Sequence, residues 1–287
     1  MRCIFVRQRT LPEAWEKAVI RCWNEGDSFE TQYDKKGDPE SRDVTAMIHI
    51  TEPLAEPRIH RAFPGGLEDL EKYRAEVLLG AHDYYMDDLS NPNRWRYTYS
   101  KRLFEYVYYN SERHGFGRQL INQIQKCVDM LKQCGYTRRA QAVTWKCWED
   151  LDYGEPPCLQ RLWFRVENNK LNMNVHMRSW DLYKAAFMNC YAFIELQKYV
   201  ANQVGVDMGE YLHVADSAHI YGSYFDEFKG FLNMVEKRKP EDRVWDISYA
   251  LPIFIEGCDA LLKEENMPAD KKKLIEQRKK ELQNLIT

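Results

Sequence analysis

The chain has 287 residues, 44% hydrophobic and 30% charged, with a formal net charge of −3. That suits one large globular domain or two small ones, and it supplies no attraction toward nucleic acid or an anionic membrane surface. No apolar run approaches the roughly 20 residues that span a bilayer. The N-terminus carries a charge every few positions and does not read as a signal peptide. The eight cysteines form no CxxC pair and no histidine cluster accompanies them. Neither a metal site nor a disulfide framework is expected; the thiols read as reduced, in a cytosolic protein.

In chain order, residues 10–26 ("TLPEAWEKAVIRCWNEG") read as a helix, with Thr10 as N-cap, Pro12 in the first turn and Gly26 at the C-cap. Residues 29–43 read as a polar loop and 44–50 ("VTAMIHI") as a strand. Three prolines and two glycines make 51–66 irregular. Residues 67–80 place Leu67, Leu70, Tyr73, Val77 and Leu78 at helical spacing, and 118–136 read as an amphipathic helix ended by Gly135. From 138 the period becomes that of strands: "RRAQAVTWKCW", "CLQRLWFRV" and "KLNMNVHMRSW", with "ENN" before Lys170 as a hairpin turn. Residues 185–205 read as a buried helix, 209–222 as a strand, 224–238 as a helix ending before Pro240, and 268–286 as a charged amphipathic helix. The expected class is α+β, a mainly antiparallel or mixed sheet covered by long helices. One domain is expected, with 1–66 as its N-terminal helix–loop–strand part and 240–287 as a C-terminal helical extension.

One local feature asks for an explanation. Cys158 follows Pro156 and Pro157 at a strand entrance. Proline fixes φ and cannot donate to a ladder, so the thiol stands on a stiff platform. A lone cysteine is most often a small core hydrophobe; the alternative is a thiolate presented to a substrate. Polar and cationic groups gather in the same strands: Arg138 and Arg139, "RSWD" at 178–181, Asn189 and "HIY" at 219–221. Singly, each has an ordinary structural explanation, such as a solvated edge or a satisfied core amide. Together, their order and spacing resemble the thymidylate synthase family, from about Arg138 to Phe231 and more weakly upstream through "WRYTYSKRL" and the "SRD" at 41–43. The wording "PPCLQ" and "DSAHIY" is similar to the archaeal-type and nucleotide hydroxymethylase branches.

The resemblance implies the chemistry. Cys158 would add to C6 of a pyrimidine nucleoside monophosphate. C5 then becomes nucleophilic toward the one-carbon unit of 5,10-methylenetetrahydrofolate or a methanopterin analogue. Arg178 would assist the thiol and, with Ser179, bind the phosphate. Arg138 and Arg139 would reach the phosphate of the other subunit in a homodimer, and Arg42 would close over it from the same subunit. Asn189 would read the base, Asp181 would meet it through its backbone N–H, and His219 and Tyr221 would bind the sugar hydroxyl. The general acid/base is expected in "LEDLEKY": Glu71, with Asp69 and Glu68 as alternatives. Four departures stand out: Leu159 where the common enzymes have His, Ala185 and Ala186 at a usually Gly-rich helix entry, Ser217 in place of an Asp, and no short apolar C-terminal tail.

Three functions follow. The first is methylation of dUMP to dTMP. The second is 5-hydroxymethylation of dUMP, dCMP or CMP, in which water captures the methylene. No Trp lies between Gly80 and Arg94, where the common synthases place tryptophans; Tyr84 and Tyr85 stand there, which keeps the water route open. The third is a non-catalytic nucleotide- or RNA-binding protein on the same fold, against which Cys158 argues.

Overall fold

The structure is a computed structural model that describes residues 1–87, 92, 94–109 and 118–286. In chain order the elements are β1 (Cys3–Gln8), α1 (Leu11–Glu25), β2 (Asp27–Phe29), β3 (Ser41–Ile50), β4 (Ile59–His60) and α2 (Leu67–Leu79). Next come α3 (Tyr99–Phe104), β5 (Tyr106–Tyr109), β6 (Arg118–Ile121), α4 (Gln123–Gln133), β7 (Gln141–Val143) and α5 (Cys147–Asp150). The chain continues with β8 (Leu159–Glu167), β9 (Lys170–Asp181), α6 (Ala186–Val204), β10 (Asp207–Ile220), α7 (Phe225–Lys237), β11 (Val244–Trp245), α8 (Ile247–Leu262) and α9 (Ala269–Asn284).

Among the described residues, one seven-stranded sheet runs in the order β1-β3-β10-β9-β8-β7, with β2 added along β3. β1 runs parallel to β3 and β9 parallel to β10; the other pairs are antiparallel, so the sheet is mixed. β9 and β10 are parallel because α6 carries the chain back between them. The β8–β9 hairpin turns on Asn168 (φ 50°) and Asn169 (φ 60°), as a two-residue turn with both central residues left-handed requires.

Alternation assigns the faces. In β3, Val44, Ala46, Ile48 and Ile50 are buried under α1; in β9, Leu171, Met173, Val175 and Met177 are buried under α6. The opposite face is open: Phe5 is 53% and Met47 42% exposed, beside Trp163 and Leu212 around a groove of about 460 Å³. Three expectations change. The "SRD" residues open β3 instead of lying in a loop, because β2 pairs with them. Residues 118–121 form a strand, and α4 starts only after Asn122, whose side chain accepts from Gln125 N at 2.8 Å. The segment after Val143 turns into the short α5, where the Asp150 carboxylate accepts from Lys146 N at 2.7 Å.

Candidate active site

The two prolines explain the rigid entrance. Prolines have no N–H to give, but their carbonyls accept: Arg178 Nε donates to Pro157 O at 3.1 Å and Nη2 to Pro156 O at 2.6 Å, and Gln160 Nε2 also donates to Pro157 O at 2.9 Å. The ladder adds Arg178 N to Cys158 O at 2.9 Å. Arg178 is thus fixed by the loop it fixes, with its charge beside the thiol. Burial pushes the Cys158 thiol above its ordinary value; the Arg178 charge and a hydrogen bond with Ser179 oppose the rise without cancelling it. Within this chain the sulfur is therefore favoured as the thiol, a weaker activation than the family resemblance implied.

Cys158 opens onto a cavity of about 630 Å³ whose walls include Arg178, Ser179, His219, Tyr221, Ser41 and Asp43. Burial lowers the His219 imidazole to about 4, so the ring is neutral at pH 7. Its Nδ1 meets Ser217 Oγ at 3.3 Å, and Ser217 Oγ donates to Asp43 Oδ2. Asp43 pairs in register with His219 across β3 and β10. The carboxylate expected at 217 is thus supplied from the neighbouring strand, a pairing that spacing along the chain does not show. His219 Nε2 is buried and has no protein partner.

The remaining expected residues divide. The Asp181 carboxylate caps the turn into α6, accepting from Tyr183 N at 3.1 Å and Lys184 N at 2.9 Å; burial raises it to about 6. Asn189 lines neither this cavity nor the next. Trp180 Nε1 donates to its Oδ1 at 3.2 Å and its Nδ2 donates to Tyr73 OH at 2.6 Å. Arg42 points away: it donates to Gly26 O and Ser28 Oγ, on the face opposite Ser41 and Asp43. Arg138 and Arg139 are exposed between α4 and β7.

A second cavity, of about 420 Å³, is lined by Tyr73, Glu76, Trp95, Tyr97, Tyr99 and Tyr153 among others. It adjoins the thiol through the next residue along the chain: Tyr99 OH accepts from Leu159 N at 3.2 Å. Glu71 is not part of it. Its side chain is fully buried, and its carboxylate accepts from Arg278 Nε at 2.9 Å, Arg278 Nη2 at 3.0 Å and Arg74 Nη1 at 3.1 Å. Glu68 and Asp69 also lie off the cavity; Glu68 pairs with Lys72, and Asp69 caps Gly66. Glu76 is the α2 carboxylate that the structure brings to the site. Five positions separate it from Glu71, roughly 140° around the axis at 3.6 residues per turn, so the two face different surroundings. The available signal was the i, i+3 spacing of Tyr73 and Glu76, which places both on one face of α2.

The thymidylate synthase family model matches residues 76–248. A Methanocaldococcus jannaschii protein named "Putative thymidylate synthase" is 31% identical over 77% of this chain and 91% of its own. A Methanopyrus kandleri protein of the same name is 31% identical over 77% and 94%, and one from Methanosarcina mazei is 28% identical over 77% and 91%. The chain belongs to the thymidylate synthase family. Members are one-carbon-transfer enzymes acting on pyrimidine nucleotides, with a methylenetetrahydrofolate-type donor. Among the described residues, no group of three or more His, Cys, Asp or Glu could hold a metal, and no helix is long and apolar enough to cross a membrane.

Proposed function

We propose that the chain methylates dUMP to dTMP in the cytoplasm, as a homodimer. The observation that carries this reading is Cys158 between two cavities of different character. One offers a guanidinium, hydroxyls and a neutral histidine, which suit a phosphorylated sugar. The other offers flat aromatic walls, which suit a pterin. When bound there, the donor supplies the carbon and the hydride. Cys158 is the nucleophile at C6; Arg178 and Ser179 bind the phosphate; His219 and Tyr221 hold the sugar hydroxyl; and Asp181 carries the base edge on its backbone N–H. Glu76 exchanges protons with the pyrimidine, the role expected of Glu71.

The base assignment gains from Trp180. An indole N–H can only donate, so it fixes which end of the Asn189 amide is oxygen. With that polarity, and with one position on each group taken by Trp180 and Tyr73, a base that reaches the amide would meet the second lone pair of Oδ1 as an acceptor for N3–H of uracil and the second hydrogen of Nδ2 as a donor to O4. Cytosine needs the reverse, and each buried group left unpaired costs about 1–3 kcal/mol. Trp95 supports methylation over hydroxymethylation. It lies just outside the interval lacking tryptophan, yet it lines the donor cavity and packs edge-on against Tyr85 at 5.1 Å, placing an indole where the common synthases have one. Hydroxymethylation is the second reading, supported by Ser217. The open sheet face with Phe5 and Met47 fits a second copy, which would bring its Arg138 and Arg139 to the phosphate and add the cationic help that the thiol lacks. Mixing inactive Arg139→Ala and Cys158→Ser chains tests this: restored activity is expected, and proven heterodimers without activity would refute shared sites. The mass of the product formed from dUMP, dCMP or CMP with methylenetetrahydrofolate tests the reaction itself.

A further inference from the structure

All but the first two residues of the C-terminal helical pair lie beyond the segment that matches the family model, yet the connection between its helices reaches the site. Glu264 follows α8. Its Oε2 accepts from Tyr84 OH at 2.6 Å, and its Oε1 lies 3.3 Å from His82 Nε2. The other ring nitrogen, His82 Nδ1, lies 3.1 Å from Glu76 Oε2. An imidazole facing a carboxylate oxygen at each nitrogen satisfies both only with both nitrogens protonated.

The ring is also held in place. Gly80 ends α2 left-handed at φ +68°, where a Cβ would meet Asp83 Oδ2 at 2.2 Å, and so brings His82 back beside Glu76. Tyr85 stacks on the ring at 5.1 Å and Trp95 meets it edge-on at 5.9 Å. The charged groups around it are Glu76 from α2, Glu264 from the C-terminal pair, and Asp83 on its own turn, itself 3.7 Å from Lys271 of α9.

We propose that Glu264 and His82 are positioning residues for the one-carbon transfer. Glu264 holds His82 protonated and aimed, and His82 holds one oxygen of Glu76, leaving Glu76 fixed at the donor cavity. This rests on the assignment of Glu76 above. Burial alone would lower His82; the hydrogen bond and charge of Glu76, then those of Glu264, outweigh it, and the ring titrates above its ordinary value.

The test is Glu264→Gln in the full chain. Turnover of dUMP is expected to fall about tenfold with KM for the nucleotide unchanged. The pH profile of kcat should move, and the His82 ring, followed by NMR, should titrate lower. Lys279→Ala removes the 2.6 Å pair with Asp259 inside the same helical pair and should leave both readouts in place. The proposal fails if Glu264→Gln changes neither readout, or if Lys279→Ala reproduces the loss. Should Glu264→Gln not fold, His82→Gln must show the same loss of kcat at constant KM, and undiminished turnover refutes the proposal. Undiminished turnover by Glu76→Gln would refute the assignment of Glu76 instead, while the His82 titration still reads its pairing with Glu264.

Discussion

Two regions of the molecule hold charge in opposite ways. Between α2, α6 and α9, Glu71 and Glu195 are buried against Arg58, Arg74 and Arg278, with Arg58 Nη2 to Glu195 Oε1 at 2.8 Å and a bidentate pair between Glu71 and Arg278. Positive neighbours, Arg58 first and then Arg74, overcome burial and hold Glu195 well below the carboxylate range. At the entrance to β8 the thiol is only partly buried, faces one cation of its own chain and stays above its ordinary value. Nε2 of His219, on the same cavity, has no partner. Burial with pairing fixes a helix, whereas burial without it leaves capacity for a ligand.

The largest effect expected is at the unpaired region. Cys158→Ser should reduce product formation by about a thousandfold or more, because a hydroxyl is a far weaker nucleophile at pH 7. Calorimetric binding of dUMP should survive, since the phosphate and sugar contacts lie elsewhere; a mutant with a tenth of the native rate would remove Cys158 from the mechanism. Next, Glu76→Gln should lower kcat by about a hundredfold, in the range of lost general acid–base catalysis, with little change in thermal stability. Glu71→Ala should do the reverse. Stranding Arg278 and Arg74 costs roughly 3–5 kcal/mol in a denaturant titration, with kcat per folded molecule nearly unchanged. If Glu71→Ala abolishes turnover in a stable protein, the two regions have been assigned the wrong way round.

The smallest effect is in the pH dependence of stability. His219 is lowered from 6.5 in the unfolded chain to about 4 when folded. The stability that it contributes is therefore complete above pH 6.5 and lost as pH falls through about 4, on the order of 3 kcal/mol. Denaturant titrations of His219→Gln should show a shallower loss over that interval, and an unchanged slope would mean that the folded ring is already charged. His82, raised instead, works the other way: its contribution is full below 6.5 and fades as pH rises through the folded value.

The same contrast explains what the sequence disclosed. β8, β9 and β10 carry or adjoin the site residues at fixed register, so the motifs holding Cys158, Arg178, Ser179, His219 and Tyr221 kept the order and spacing in which the family resemblance could be seen, and all five reach one cavity. The helical side was not. Which of the α2 carboxylates meets the cavity depends on rotation about the helix axis, and that rotation is set by Arg278, 207 positions away from Glu71. Arg42 lies off that cavity because β2 pairs with the "SRD" segment and alternation turns residue 42 away from Ser41 and Asp43. β1 went unread and α8 was covered only as part of the 240–287 helical extension, although each buries part of the core.

The most direct measurement is the mass of the nucleotide recovered after native protein is incubated with dUMP and methylenetetrahydrofolate, with Cys158→Ser alongside. Transfer of carbon and hydride through a Cys158 adduct predicts a product heavier than dUMP by one CH2, formed by the native chain and not by the mutant. Gain of CH2O would mean that water captures the methylene. Unchanged dUMP beside converted dCMP or CMP would contradict the base assignment, and conversion of dUMP by Cys158→Ser would contradict the chemistry.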